Sequence, residues 1–543
     1  MIQSIVELPV GLEPAPVEQA CEPTAHAPPK LLSAIGLLTA GGDGRIKLDE
    51  TTGLNHYGCQ PFPDEGLRAF GSSTASVISV PAYAQAERLT DRLSRALADG
   101  AEPTELYATE LGRIRGEFLG LMSLSDLDGL GVVIARSGTD LHRIMAQLVG
   151  LGAGEPPLVI TCEPSETGSG VEQALGGELS AGASLRSHIS QFRPAGAPHP
   201  CQIIVAPSRE ADGSLRPAET VDAEIAAQAR AAAAFGRRVL LVLMDVSKTG
   251  LIAPSLGCAL ELKQRYPDQV DIMVDSCQLR LAPTTVRAYL QAGFVVATTG
   301  SKFMTGPTFS AALLIPAASM QRLGAHRLPM SLAAHTAKAD WPQGWPGAEA
   351  LRAESNLGLL CRWQAALDEM APFAALPPEQ VRAFFEAFAM AAAARMDSDQ
   401  AFVRVSQHPL DRAALNAPDS WDAVQTIHPF LLRGANGLMS PEDAHGLYRL
   451  MAMDLGGWAR AVGEPPLGQA NASLRVQLGQ PVKCGQRSGA PVSALRLCAS
   501  ARLAVDALAP GGRGPQAVID DALAALDKAA WLTRRTTSGP SPG

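Results

Sequence analysis

Residues 295–316 read "VVATTGSKFMTGPTFSAALLIP", and this stretch decides the fold. Two apolar runs of strand character bracket a loop of small residues that holds a single lysine, Lys302. Thr299, Gly300, Ser301, Gly306 and Pro307 around it are residue types that shape a tight backbone. On this stretch alone, Lys302 is either a solvated turn lysine or a cation held at the end of a buried strand. What the neighbouring strands carry at the same end separates the two readings.

Upstream, from about residue 130, the pattern is strand, loop, helix, repeated. "GVVIA", "PLVIT", "CQIIVAP", "RRVLLVLMD", "VDIMVD" and "FVVATTG" are short apolar runs. Between them "LHRIMAQLVG", "VDAEIAAQARAAAAF", "SLGCALELKQRY" and "TTVRAYLQAG" have helical spacing. Continuous apolar strands alternating with helices predict an α/β fold, a mostly parallel sheet covered on both faces. Such sheets bind ligands at the carboxyl ends of their strands. Beyond residue 320 the character changes. "AEALRAESNLGLLCRWQAALDEM" reads as one long helix, and residues 373–512 mix helices with short strands such as "ALRLCASARL", which predicts a smaller α+β domain. The expected organisation is a disordered tail over 1–45, a large domain over 46–372, the small domain, and a terminal helix with a second tail over 513–543.

Composition fits a soluble globular chain of 543 residues, 46% hydrophobic and 18% charged, long enough for two or more domains. A net charge of -9 argues against a nucleic-acid surface. Nine cysteines, scattered singly with no C-x-x-C pair, argue against a disulfide frame or a zinc site. No apolar run approaches the roughly 18 residues a membrane span needs. The first thirty residues, rich in Pro, Ala and Glu, lack the basic start and apolar stretch of a secretory signal, so a cytoplasmic location is expected.

The residues after the strands carry the chemistry. After "VVIA" come Ser137, Gly138, Thr139 and Asp140 at a helix start, where free N–H groups and the helix dipole suit a phosphate, although the same residues also serve as ordinary N-caps. After "VLLVLMD" comes Ser247. Asp275 closes a strand, Gln278 follows it, and Lys302 lies one helix and one strand further on. Adjacent strands would bring a carboxylate and an amine to the same end of the sheet.

In this order, Ser137-Gly138-Thr139, then Asp275-x-x-Gln278, then Ser301-Lys302 with Gly306-Pro307, the motifs resemble the pyridoxal-phosphate (PLP) enzymes of fold type I. In particular they resemble the class V aminotransferase and cysteine desulfurase superfamily, over roughly residues 50–510. The resemblance implies PLP bound as a Schiff base on Lys302, with Asp275 facing the pyridine nitrogen and Gln278 and Ser247 near the ring's phenolic oxygen. Ser137, Gly138, Thr139 and Thr299 would hold the phosphate, and Ser301 would also touch the cofactor. Arg496, in "SALRLCASARL", would clamp the substrate carboxylate, with Arg502 as the substitute. Asn55, Tyr57, Ser73 and Thr74 resemble a segment that closes over the site, although "SSTAS" also reads as the start of a capped helix. The family's ring-stacking residue falls near Glu166 or Thr167.

The implied activity is that of a PLP-dependent enzyme acting on an amino acid or related amine, with transamination foremost and lyase or decarboxylase chemistry as the alternative. A homodimer is implied, with residues near Thr305 reaching the partner's phosphate. Two departures stand out. Ser301 replaces the histidine that often precedes the lysine, and no cysteine lies between Cys361 and Cys484, which argues against a persulfide-forming desulfurase. A non-catalytic cofactor-holding module would have no need of lysine, aspartate and phosphate loop together.

Overall fold

The structure is a computed structural model describing residues 32–168, 170–176, 201–329, 332–333 and 335–536. Its first strand, β1 (Leu67–Phe70), joins the smaller of two sheets. Eight successive strands build the larger one: β2 (Gly131–Ala135), β3 (Leu158–Thr161), β4 (Gln202–Val205), β5 (Val239–Asp245), the two-residue β6 (Ile252–Ala253), β7 (Val270–Ser276), β8 (Val295–Thr299) and β9 (Ala311–Ile315). Their order is β2-β9-β8-β7-β5-β3-β4, with β6 attached to β5. Every pairing from β8 to β4 is parallel, whereas β9 runs against both of its neighbours. This is the expected α/β architecture.

The continuous apolar strands are explained by where their side chains go. Leu241, Leu243, Ile272 and Val274 enter one core, while Leu240, Val242 and Met273, the residues between them, enter the other. Side chains alternate across a strand, so a sheet covered on both faces has no polar side to show.

The smaller sheet takes β10 (Phe402–Arg404), β11 (Ile427–Gly434), β12 (Gly437–Leu438), β13 (Arg475–Arg487) and β14 (Ala490–Cys498), in the order β1-β13-β14-β11-β10. β13 and β14 form a hairpin closed by Ser488 and Gly489, both at positive φ, the conformation a two-residue turn requires. β1 pairs with β13 in parallel, so the N-terminal part of the chain contributes to the small sheet. Helix Pro515–Thr536 closes the chain.

Two local expectations are corrected. The long helix begins at Leu357, not near residue 348, because Asn356 caps it, accepting the Leu359 N–H, while the Asn356 amide donates to Gly41 O. Residues 34–45 are also not a tail. Ala34–Leu38 is a short helix whose Leu37 and Leu38 enter the core. The fully buried Arg362 donates to the carbonyls of Leu37, Leu38, Ala40 and Gly41, and through Nε to Phe309 O at 2.8 Å. No helix among the described residues is long and apolar enough to cross a membrane.

Candidate active site

The carboxyl ends of β2, β5, β7 and β8 converge on one cavity of about 270 Å³. From β2 and its helix come Ser137, Gly138, Thr139 and His142. Lys248 follows β5, Asp275 and Cys277 come from the end of β7, and Thr299, Ser301 and Lys302 from the end of β8. The small domain adds Gln480 and Arg496, and the N-terminal segment adds Arg45, Tyr57, Ser73 and Thr74.

The lysine loop is shaped by close packing. A Cβ at Gly300 would lie 2.7 Å from the Ala366 Cβ, and one at Gly306 2.6 Å from the same atom. Helix Leu357–Ala374 therefore presses on the loop where only glycine leaves room. The loop closes through Gly306 N–H to Gly300 O at 2.9 Å. The Lys302 ammonium, half-buried, makes no hydrogen bond or ion pair with a described residue.

At the β2 end, helix Gly138–Gly150 opens with Ser137 as N-cap, its Oγ accepting from Asp140 N–H at 3.3 Å. The Gly138 and Thr139 N–H groups precede the first intrahelical bonds and suit an anion. A Cβ at Gly138 would lie 2.7 Å from Cys277 Sγ, so the backbone can approach the β7 end only as glycine. Arg45 donates to Thr139 Oγ1 at 3.1 Å and Ser137 Oγ at 3.4 Å. It is held there by a two-pronged pair with Asp43 and by Phe309, whose ring centroid lies 4.7 Å from the guanidinium carbon. Hydroxyls, free N–H groups and a guanidinium on one cup are a donor set for a phosphate dianion.

Asp275 is buried at the base of the cavity. One carboxylate oxygen accepts from Cys277 N–H at 3.1 Å, and the other lies 3.0 Å from His142 Nε2 as an ion pair that is not aligned as a regular hydrogen bond. The His142 Nδ1 sits 2.8 Å from Gly138 O, a pure acceptor, and therefore carries a proton. Both ring nitrogens thus face oxygens, the arrangement of an imidazolium. Burial alone would push the Asp275 carboxyl up, but the His142 charge, the Cys277 N–H and Lys302 outweigh it and hold the group below the usual carboxylate range. Burial likewise works against the His142 cation, and the Asp275 charge overrides it and raises its pKa. Asp275 is thereby kept ionised in a dry site, as a partner of a pyridinium must be.

Arg496 is 2% exposed. It donates to Thr74 Oγ1 at 2.9 Å, Gln480 O at 2.6 Å and Lys248 O at 3.4 Å, and its buried Nε has no partner. Arg502 is different: it forms a two-pronged pair with Glu369, also donates to the carbonyls of Val77 and Thr305, and does not line this cavity.

Other expected residues lie elsewhere. Gln278 points away from the cavity, donating to Val246 O and Ser247 O and accepting from Arg280. Ser247 donates to Glu166 at 2.7 Å. Glu166 itself is a buried carboxylate paired with Arg209 and bonded to Thr249, not a ring-stacking group. From that segment Gly168 and Val171, not Glu166 or Thr167, line the cavity. Asn55 uses its side chain to accept from Tyr57 and Cys59 N–H groups. "SSTAS" is a turn, and the helix begins at Val80 with Ser79 as cap. The Thr305 hydroxyl faces inward, between Met304 O at 2.8 Å and Glu369 at 3.2 Å.

His142, Arg45 and Lys248 were not legible as site residues. His142 follows Gly138 by one helical turn, so helical periodicity puts it on the cup's inner face, and that was the available signal.

No family model matches the chain, and no curated protein matches it. Solved structures do resemble it. The cysteine desulfurase CsdA of Escherichia coli is 13% identical, with a TM-score of 0.48 over 86% of this chain and 95% of that one. A NifS-like protein of Rickettsia africae is 10% identical, with a TM-score of 0.46 over 85% and 99%. The Oryza sativa TDC solved with PLP and tryptamine is 13% identical, with a TM-score of 0.46 over 86% and 84%. These scores assign no residue and no reaction. In outline the chain is similar to these three structures, each at a TM-score below 0.5.

Proposed function

We propose that the chain is a PLP-dependent enzyme acting on an amino acid through Lys302, with transfer of the amino group as its reaction. The observation that carries the reading is the convergence of Lys302, Asp275 and Arg496 with the Ser137–Thr139 cup on one cavity. The residues fit the cofactor. The cup and Arg45 suit its phosphate, the ionised Asp275 its ring nitrogen, and the Lys302 amine, without a polar partner among the described residues, its aldehyde.

Bound there, PLP supplies an electron sink for the electron pair of a bond broken at the substrate's α-carbon. Asp275, held ionised by His142, would keep a proton on the ring nitrogen. Arg496 orients the substrate by its carboxylate, its guanidinium fork matching that planar group. With PLP and a substrate held there, Lys302 Nζ would be the base placed on the cavity wall to move the α-proton. The strands and the small domain keep the base of the site dry.

The purified protein loaded with PLP should be yellow, and borohydride should fix the cofactor to the peptide containing Lys302. Label on another lysine overturns the assignment. An amine donor alone should convert the bound cofactor to its pyridoxamine form. Release of carbon dioxide without that conversion would replace amino transfer by decarboxylation.

A further inference from the structure

The cationic side chains lining the cavity are more than one cofactor and one carboxylate require. Arg45, Lys248, Lys302 and Arg496 face it, and Asp275 is its one lining carboxylate. Asp43 and the cup account for Arg45, and His142 accounts for Asp275. With PLP on Lys302, two cations remain, Arg496 and Lys248, and neither has an ion-pair partner among the described residues. They are neighbours: Arg496 Nη1 donates to the Lys248 carbonyl at 3.4 Å. The Lys248 backbone is fixed by its N–H to Glu166 O at 2.9 Å, and among the described residues its ammonium has one acceptor, the neutral Pro164 O at 3.3 Å. That acceptor lies in the loop after β3, so the Lys248 side chain runs along the cavity wall from the β5 end toward that loop. A lysine ammonium has three donors, and two are left for a ligand.

We propose that Lys248 is a second anion-binding group for the substrate. The substrate class is then the dianionic amino acid, an α-amino acid whose side chain ends in its own carboxylate or a similar oxyanion. Arg496 takes the α-carboxylate and Lys248 the distal anion. The electrostatics agree with this. Burial, reinforced by Arg496 and Lys302, pushes the Lys248 amine down to about 8, against an opposing pull from Glu166 and Cys162. The cavity by itself is overcharged with cations, and a second anion relieves it.

The inference rests on the amino-acid reading above, and the test separates the two. The PLP-loaded protein is titrated with L-aspartate and L-glutamate and with their neutral isosteres L-asparagine and L-glutamine, following the cofactor's absorbance at pH 7. At least one acid should bind about ten-fold or more tightly than its amide. That ratio should fall toward one in Lys248→Gln, persist in Lys248→Arg and reverse in Lys248→Glu. Equal binding of acid and amide by the unaltered protein overturns the proposal, as does a preference that survives in Lys248→Gln. If no amino acid shifts the spectrum while borohydride still fixes PLP to Lys302, the amino-acid reading itself falls, and the proposal with it. If neutral amino acids shift the spectrum as well as acids do, only the proposal falls.

Discussion

The His142–Asp275 pair gives the sharpest test of how the site is built. Two unit charges 3.0 Å apart attract by about 5–6 kcal/mol at an effective dielectric constant of about 20. Desolvation of both groups consumes much of this, so the pair as a whole adds little net stability. Removing one partner is another matter, because it strands a buried charge at a cost of about 3–5 kcal/mol. His142→Leu and Asp275→Asn should each lower the stability of the cofactor-free protein by that amount, read from urea denaturation. The double variant should be no worse than either single one, giving a coupling of about 3 kcal/mol in the cycle. The pH dependence has a definite sign. Asp275, depressed in the folded state, contributes above its unfolded pKa of about 3.9, and that contribution is lost as pH falls through its folded value. His142, raised in the folded state, contributes fully below its unfolded pKa of about 6.5 and loses the contribution as pH rises through its folded value. The gap between unaltered protein and His142→Leu should therefore be widest between roughly pH 4 and 6.5. PLP should narrow it, since the pyridinium gives Asp275 a second cation. Additive single effects, or a gap that does not change with pH, would refute the pairing.

Arg496→Lys should weaken amino-acid binding by about 2–5 kcal/mol, read as a raised KM, with the cofactor spectrum intact; an unchanged KM would make Arg496 structural. Arg45→Gln should weaken PLP binding by about 1.5–3 kcal/mol at equilibrium, because a charge-assisted phosphate contact is lost, and unaltered affinity would remove Arg45 from the cup. Light scattering should show a homodimer; a monomer that holds PLP tightly would contradict that expectation.

The large sheet was legible because its strands are buried on both faces, which leaves continuous apolar runs that admit one reading. The same property places Asp275 and Thr299, since residues that close a parallel strand lie at the ligand-binding edge whatever their rotamer. Gln278 shows where that logic stops. Leu279 adopts a positive φ, and the reversed chain turns the amide of Gln278 under the loop after β5. A side chain beyond a strand's last residue is aimed by its turn, and turn geometry was not readable from "SCQLR". Ser247 and Glu166 satisfy each other, a pairing across 81 residues that no local pattern announces. Arg45 was hidden by composition. "AIGLL" is too short for periodicity to show, and the Pro- and Ala-rich residues before it read as a tail.

Arg362 gives the short helix Ala34–Leu38 and the turn after it a practical consequence. A gene shortened to begin at residue 46, where composition would draw the boundary, would remove the carbonyls of Leu37, Leu38, Ala40 and Gly41 while leaving their guanidinium partner in the core. Among the described residues Phe309 O would be its one remaining acceptor, and Phe309 is also the ring beneath Arg45. Such a trimmed protein would lose Arg45 and unsettle the residue beside the lysine loop in one step. Poor colour in that product would report a damaged cofactor site, not an inactive gene.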